Sequence, residues 1–312
     1  VTTDVSIALV TRNGRVDLET MLPLLKRQRS VGRVEIVAVD SGSTDGTREY
    51  LSGRVDRLIS IDPAEFGHGR TRNTAIAACS GEFVALIVQD ALPTGAGWLS
   101  ALVDPLLSDA TVAGAFARQL PRPEAPAVVR ANLERYLAGG ATARTIRGDG
   151  EPETIRRTPL EQLDRCTFDN VSSVVRRRVW ETIPFPDVPI AEDVEWARDV
   201  LAAGHSIAYA PDSTVVHSHD RTARYELTRT RMIHHRLYQL FGVRLVPDRR
   251  TLIRAILATL ADHRRIVAAS ADRRRPGRIA RAAALAVAWP LGQYLGGHDA
   301  ASGRPLRALA GV

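Results

Sequence analysis

The sequence predicts an α/β fold, a mostly parallel sheet with helices on both faces, followed by a basic helical extension. Three features of the 312 residues predict it. Short runs rich in Val and Ile alternate with helical segments through residues 5–90. Those runs end at Asp, Gly and Ser, as strands do when they hand the chain to a following helix. Beyond residue 220 the pattern changes to apolar stripes at helical spacing with Arg between them.

Taken in order, Val5 to Val10 (VSIALV), Val34 to Val39 (VEIVAV), Val55 to Ile61 (VDRLISI) and Phe83 to Val88 (FVALIV) are strands, and helices at 17–29, 45–52 and 71–79 separate them. Sheets of this kind take ligands beyond the carboxyl ends of their strands, which is where Asp40 and Asp90 fall. A helix at 97–107 and strands at 111–118 and 170–177 follow. Residues 139–166 are rich in Gly, Arg and Thr without a sustained period, and read as a mobile loop. Ile190, Val194, Ala197 and Leu201 form a stripe that predicts an amphipathic helix over 190–203, closed by Gly204. In the extension, Ile233, Leu237, Leu240 and Phe241 make one stripe, and Ile253, Ile256, Leu257 and Leu260 another. The expected division is an α/β domain over 1–220 and a helical extension over 221–312.

The net charge of +7 conceals an asymmetry: residues 221–312 carry +13 and residues 1–220 carry −6. Lys26 is the sole lysine among 42 basic residues, which marks the Arg preference as codon bias. A basic tail meets nucleic acid, an anionic membrane surface, or only solvent. Cys79 and Cys166 sit in unrelated contexts, so a reducing cytoplasm is the expectation, and the N-terminal run carries no secretory pattern. Residues 282–297 are uncharged, but with Pro290 and three glycines they fall short of the roughly 20 residues a membrane span needs. Peripheral contact with the inner face of the plasma membrane is the expectation there.

Four segments carry candidate chemistry. In VDSGSTDGT (39–47), Asp40 ends a strand and Ser41 to Ser43 turn the chain; a plain strand-to-helix turn and a nucleoside-gripping carboxylate are both open readings. In EFGHGRTRNTAIAACSG (65–81), Arg70, Arg72 and Asn73 stand at a helix start, where backbone N–H groups and guanidinium groups suit a diphosphate. VVHSHD (215–220) brings His217 and His219 to one face, as a polar strand end or as metal ligands. The acids Glu192, Asp193 and Glu195 of AEDVEW favour a helix N-terminus whatever else they do.

The segments SIALVTRNG, VDSGSTDGT, FGHGRTRN, VQDALP, AEDVEWA and HSH stand in the order seen in family 2 glycosyltransferases, and the chain resembles the rhamnosyltransferase-like branch of that family over about residues 4–240. The resemblance implies a GT-A fold, Rossmann-like in its sheet. It implies a nucleotide-sugar donor and an inverting single displacement. It would place Asp40 on the nucleoside, Arg72 on the diphosphate, Asp90 on a divalent metal with His217 or His219, and Asp193 as general base beside Glu192. Thr11, Ser41, Arg70, Asn73 and Gln89 complete the expected donor-binding set. Val88 stands where the family's Asp-x-Asp has its first acid, which weakens the metal site.

The chemistry itself asks for a divalent cation, Mg²⁺ or Mn²⁺, or for an Arg in its place, because charge grows on the β-phosphate oxygen as the sugar departs. The expected donor is dTDP-rhamnose or another dTDP-deoxysugar, with UDP- and GDP-sugars behind it. The expected acceptor is a glycan, a lipid-linked precursor or a small molecule. A nucleotidyltransferase would carry a Gly-rich basic loop after its first strand, whereas VTRNGRVD has one Gly. Aromatics make up only 5% of the chain, leaving few platforms for nucleic-acid bases, so no nucleic-acid partner is expected.

Overall fold

The computed structural model describes residues 4–28, 32–148, 150 and 157–305. The chain divides into two units: Val1–Leu120, Tyr136–Ile155 and Arg165–His217 form the first, and Pro121–Arg135, Arg156–Asp164 and Ser218–Val312 the second. The helical unit thus recruits two segments from before residue 220, where the sequence pattern suggested a single cut.

The first unit is built on β1 (Val5–Thr11), β2 (Val34–Asp40), β3 (Arg57–Ser60), β4 (Phe83–Val88), β5 (Leu92–Pro93), β6 (Val112–Leu120), β7 (Arg144–Ile146), β8 (Ser172–Arg176) and β9 (Ser206–Val216). Its helices are α1 (Arg15–Lys26), α2 (Thr47–Leu51), α3 (His68–Ala77), α4 (Trp98–Ser108), and, beyond α5 (Ala127–Arg135) and α6 (Pro159–Arg165), α7 (Arg177–Trp180) and α8 (Glu192–Ala202). The strands join in the order β3-β2-β1-β4-β8-β6-β9-β5, with β7 on β9. The run β3-β2-β1-β4 is parallel, β8 enters antiparallel between β4 and β6, and β6 and β9 are again parallel.

The core explains why these segments fold so. Val5, Ile7 and Leu9 of β1 meet Leu18, Met21, Leu22 and Leu25 of α1, spaced three, one and three so that they share one helix face. Trp98, Leu99, Leu102, Val103 and Leu106 do the same from α4. Each such side chain contributes about 1.5–3 kcal/mol on full burial. On the sheet's other face Ala8, Val37 and Val84 are buried, as are Ala75 and Ile76 of α3, which contacts β1 and β2.

Two expectations need correction. Helix α8 begins at Glu192, because Ala191 takes a left-handed conformation (φ 61°) and Ile190 lies before it. The buried stripe is accordingly Trp196, Ala197, Val200 and Leu201, with Val194 half-buried; Trp196 packs on Phe168 and Phe185 at ring separations of 5.0 and 5.2 Å. Residues 139–166 are also not loop throughout, since β7 pairs antiparallel with β9 and α6 follows. The rest of that expected mobile loop, at 149 and 151–156, lies outside the described residues.

The second unit contains α5, α9 (Ala223–Phe241), α10 (Arg249–Ala268) and α11 (Pro276–Ala301). The carboxylate of Asp272 caps α5 by accepting from Ala127 N at 2.7 Å. Gly292 and Gly296 let α11 approach α9 closely: a Cβ at Gly296 would stand 2.3 Å from Arg231 O. The α9 stripe buries Leu237, Leu240 and Phe241 as expected. The α10 stripe does not: Ile253 and Leu257 are 59% and 61% exposed. No helix among the described residues is long and apolar enough to cross a membrane.

Candidate active site

Register aligns the strand ends. Thr11 pairs with Asp40, Val10 with Val88, Ile87 with Ser172, and Leu120 with Val216. Because β8 runs opposite to β4 and β6, the segment before it meets the carboxyl ends of its neighbours. Asp40, Gln89-Asp90, Gln119, Asp169-Asn170 and His217 therefore gather at one edge of the sheet.

At the β1–β2 side most of the expected donor-binding side chains are engaged with each other. Gln89 Oε1 accepts from Thr11 Oγ1 at 2.6 Å and from Arg12 N at 2.8 Å, while its Nε2 donates to Arg12 O. Asp40, buried, accepts from the backbone N and the hydroxyl of Ser43. Gly42 makes that turn with φ 76°, a conformation L side chains avoid, and a Cβ there would also strike Pro63 at 2.4 Å. Ser41 is fully buried, and its hydroxyl has no partner among the described residues.

The α3 residues are held more tightly than the sequence suggested. Arg72 Nη1 donates to Glu192 Oε1 at 2.6 Å and to His68 O, with both members of the ion pair nearly excluded from solvent. Burial explains the pairing, since an unpaired charge at either position would be costly. Glu192, expected as a catalytic residue paired with Asp193, is the counterion of Arg72. Asn73 is a structural clip, its amide donating to Phe185 O and its carbonyl accepting from Phe185 N and Trp180 Nε1. Arg70 is exposed and pairs with Asp187, which raises its already high pKa.

Asp90 and His217 meet across the edge, with Oδ1 and Nε2 3.7 Å apart. That is too long for a hydrogen bond, but two ligands about 2.1 Å from one ion stand at most about 4.2 Å apart. His219 follows two residues along the chain from His217, past the end of the first unit. The partner of His217 Nδ1 is Gln119 Oε1 at 2.9 Å, and Gln119 Nε2 donates to Asp169 Oδ2 at 2.8 Å. A carboxylate accepts only, so Asp169 fixes which end of the Gln119 amide faces the imidazole. The carbonyl end needs a donor, so Nδ1 carries the ring proton and the lone pair on Nε2 faces Asp90. Oriented imidazole nitrogen beside carboxylate oxygen fits a divalent cation, and it favours Mn²⁺ over Mg²⁺, which takes oxygen ligands.

Asp193 stands in the first turn of α8, half-buried, accepting from Val194 N at 2.9 Å and from Asn170 N at 3.4 Å. Burial, then the negative charges of Glu192 and Asp169, push its pKa up to about 8, against the pull of Arg72. Asp169 and Asn170 are consecutive, so the candidate base and the candidate metal residues meet through a run of contacts: Asp193 to Asn170, Asp169 to Gln119, Gln119 to His217.

Gln119 and Asp169 were missed in the sequence. Gln119 is the penultimate residue of VAGAFARQL, one position past the expected strand end, and Asp169 is the second residue of FDNVSS, just before a strand. Gln119 carried the strand-end signal that singled out Asp90, whereas Asp169 precedes its strand and carried none.

The mixed, mostly parallel sheet with its flanking helices has the GT-A fold of the solved structures it superposes on. A mannosyltransferase from Pyrobaculum calidifontis, solved with GDP-Man and Mn²⁺, superposes with a TM-score of 0.57 over 93% of this chain and 87% of that one at 18% identity. Glucosyl-3-phosphoglycerate synthase from Mycobacterium tuberculosis gives 0.52 over 79% and 82%, also at 18% identity. The model of the family Glycosyl transferase family 2 matches residues 6–155 of the chain. Among curated relatives, the O-antigen chain rhamnosyltransferase WbaN of Salmonella anatum is 33% identical over 199 residues, 62% of this chain and 60% of that protein. The O-antigen chain rhamnosyltransferase RfbN of Salmonella typhimurium is 30% identical over 210 residues, 65% and 63%. The chain spans about three fifths of the length of these two relatives.

Proposed function

We propose that this chain transfers a sugar, rhamnose from dTDP-rhamnose as the first choice, to an acceptor hydroxyl with inversion at the anomeric carbon. The observation that carries the reading is the single sheet edge that gathers Asp90, His217, the Gln119–Asp169 pair and Asp193. The two rhamnosyltransferase relatives support the choice of sugar. The glycan, lipid-linked precursor or small molecule that accepts it is the other partner.

Asp90, His217 and His219 would hold the cation, and the cation would stabilise the charge gathering on the leaving diphosphate. Asp40 and the hydroxyl of Ser41, which has no partner among the described residues, would contact the nucleoside. Asp193 accepts the proton of the acceptor hydroxyl as that oxygen bonds to the anomeric carbon. The bond from that carbon to the diphosphate oxygen breaks in the same step, and the nucleoside diphosphate leaves with the electron pair. A carboxylate with a raised pKa is a stronger base than an exposed one, at the cost of being protonated at lower pH.

Incubation with dTDP-rhamnose, UDP-glucose and GDP-mannose in the presence of Mn²⁺ and a hydroxyl acceptor tests the reading. A glycosylated product with inverted anomeric configuration from one donor is expected, and a retained configuration would contradict the single displacement.

Gln119 provides a separate check. Gln119→Leu removes the acceptor that fixes the His217 tautomer, so Mn²⁺ affinity should fall about 10–100-fold with the melting temperature little changed. Titration of Mn²⁺ by its paramagnetic relaxation of water measures this without turnover. Wild-type affinity in the variant would remove Gln119 from the site.

A further inference from the structure

Among the described residues, α10 carries a basic, apolar face that is exposed. Asp248 caps α10 by accepting from Thr251 N at 2.7 Å, so the helix starts firmly at Arg249. Its buried residues are His263 and Val267, both toward the C-terminal end. Along the helix Arg250, Ile253, Arg254, Leu257, Ala261 and Arg264 are exposed, and their spacing of three, one, three, four and three puts them on one face. Ile253 and Leu257, at 59% and 61%, are the most exposed large aliphatic residues of α9, α10 and α11.

We propose that this face of α10 lies on an anionic lipid bilayer, with Ile253 and Leu257 entering the boundary between headgroups and acyl chains and Arg250, Arg254 and Arg264 on lipid phosphates. Charge complementarity selects the occupant. Residues 221–312 carry +13, which opposes stacking of two copies of the same face and favours a negative surface. α10 has no Phe, Tyr or Trp, so it offers nothing on which nucleic-acid bases would stack. Two aliphatic side chains alone would bind a bilayer weakly, and flanking guanidinium groups supply the second contribution that stable peripheral binding requires.

The proposal is independent of the donor and of turnover, so binding alone tests it. The full chain is sedimented with vesicles of phosphatidylcholine, and of phosphatidylcholine mixed with phosphatidylglycerol, at low and high salt. Binding to the mixed vesicles only, reduced by salt, is expected. Ile253→Ser with Leu257→Ser, and separately Arg250→Gln with Arg254→Gln and Arg264→Gln, should each lower partitioning about tenfold or more. These positions are exposed, and an unchanged melting temperature would verify that the variants fold. Negligible binding to both vesicle types, or binding unaffected in both variants, would overturn the proposal. So would self-association without lipid that the Ile253 and Leu257 changes abolish, which would assign the face to a second copy of the chain.

Discussion

Asp193→Asn is expected to lower sugar transfer by about 10²–10⁴-fold while leaving nucleotide binding intact, because general-base assistance has that worth. The wild-type profile should carry the same signature. With a pKa near 8, the carboxyl is protonated as pH falls below that value, so kcat/KM should decline on the acid side from an unusually high pH for an aspartate. The stability effect has the opposite sign. A folded-state pKa above the unfolded value near 3.9 means the folded chain holds a proton the unfolded chain has released, so stability is lost as pH rises from about 4 toward about 8. The Asn variant does not titrate there. Its melting temperature should therefore gain on wild type across that window and hold a constant lead above it. Near-normal turnover in the folded variant, or a melting difference that shrinks with rising pH, would remove Asp193 from the role.

Glu192→Ala is expected to cost about 3–5 kcal/mol of stability, the usual consequence of leaving a buried charge without its partner. Arg72 Nη1 would lose the Glu192 carboxylate and keep only His68 O among its described acceptors. Denaturant unfolding measures the loss. A change below about 1 kcal/mol, typical of surface pairs, would show that Arg72 is solvated or re-paired and that the pair does not fix α3 to α8.

These two neighbours show how far the sequence could be read. The period of Val and Ile runs and the stripes of α1 and α4 made the sheet and its flanking helices legible, because burial on one face imposes a spacing that survives in one dimension. Asp90 and His217 were legible for a related reason: each is a polar residue at the end of an apolar run. Helix-end preference alone did not distinguish Glu192 from Asp193, and only the resemblance set Asp193 apart as the base, since their contacts depend on Arg72, 120 positions away, and on Asn170. Asn73 had the residue type of a ligand-binding side chain and became a clip because Phe185 and Trp180 face it. The antiparallel entry of β8 was equally hidden, and it is what carries Asp169 to the same edge as Gln119. Contacts of this range leave no local period to read.

Calorimetric titration of dTDP, UDP and GDP into the full chain, with Mn²⁺ and after chelation, tests the central claim most directly. One of the three nucleotides should bind with Mn²⁺ and lose most of its affinity without it, and His217→Ala should behave with Mn²⁺ as wild type does after chelation. Equal affinity of the bound nucleotide with and without the metal, unchanged in His217→Ala, would contradict a cation held between Asp90 and His217.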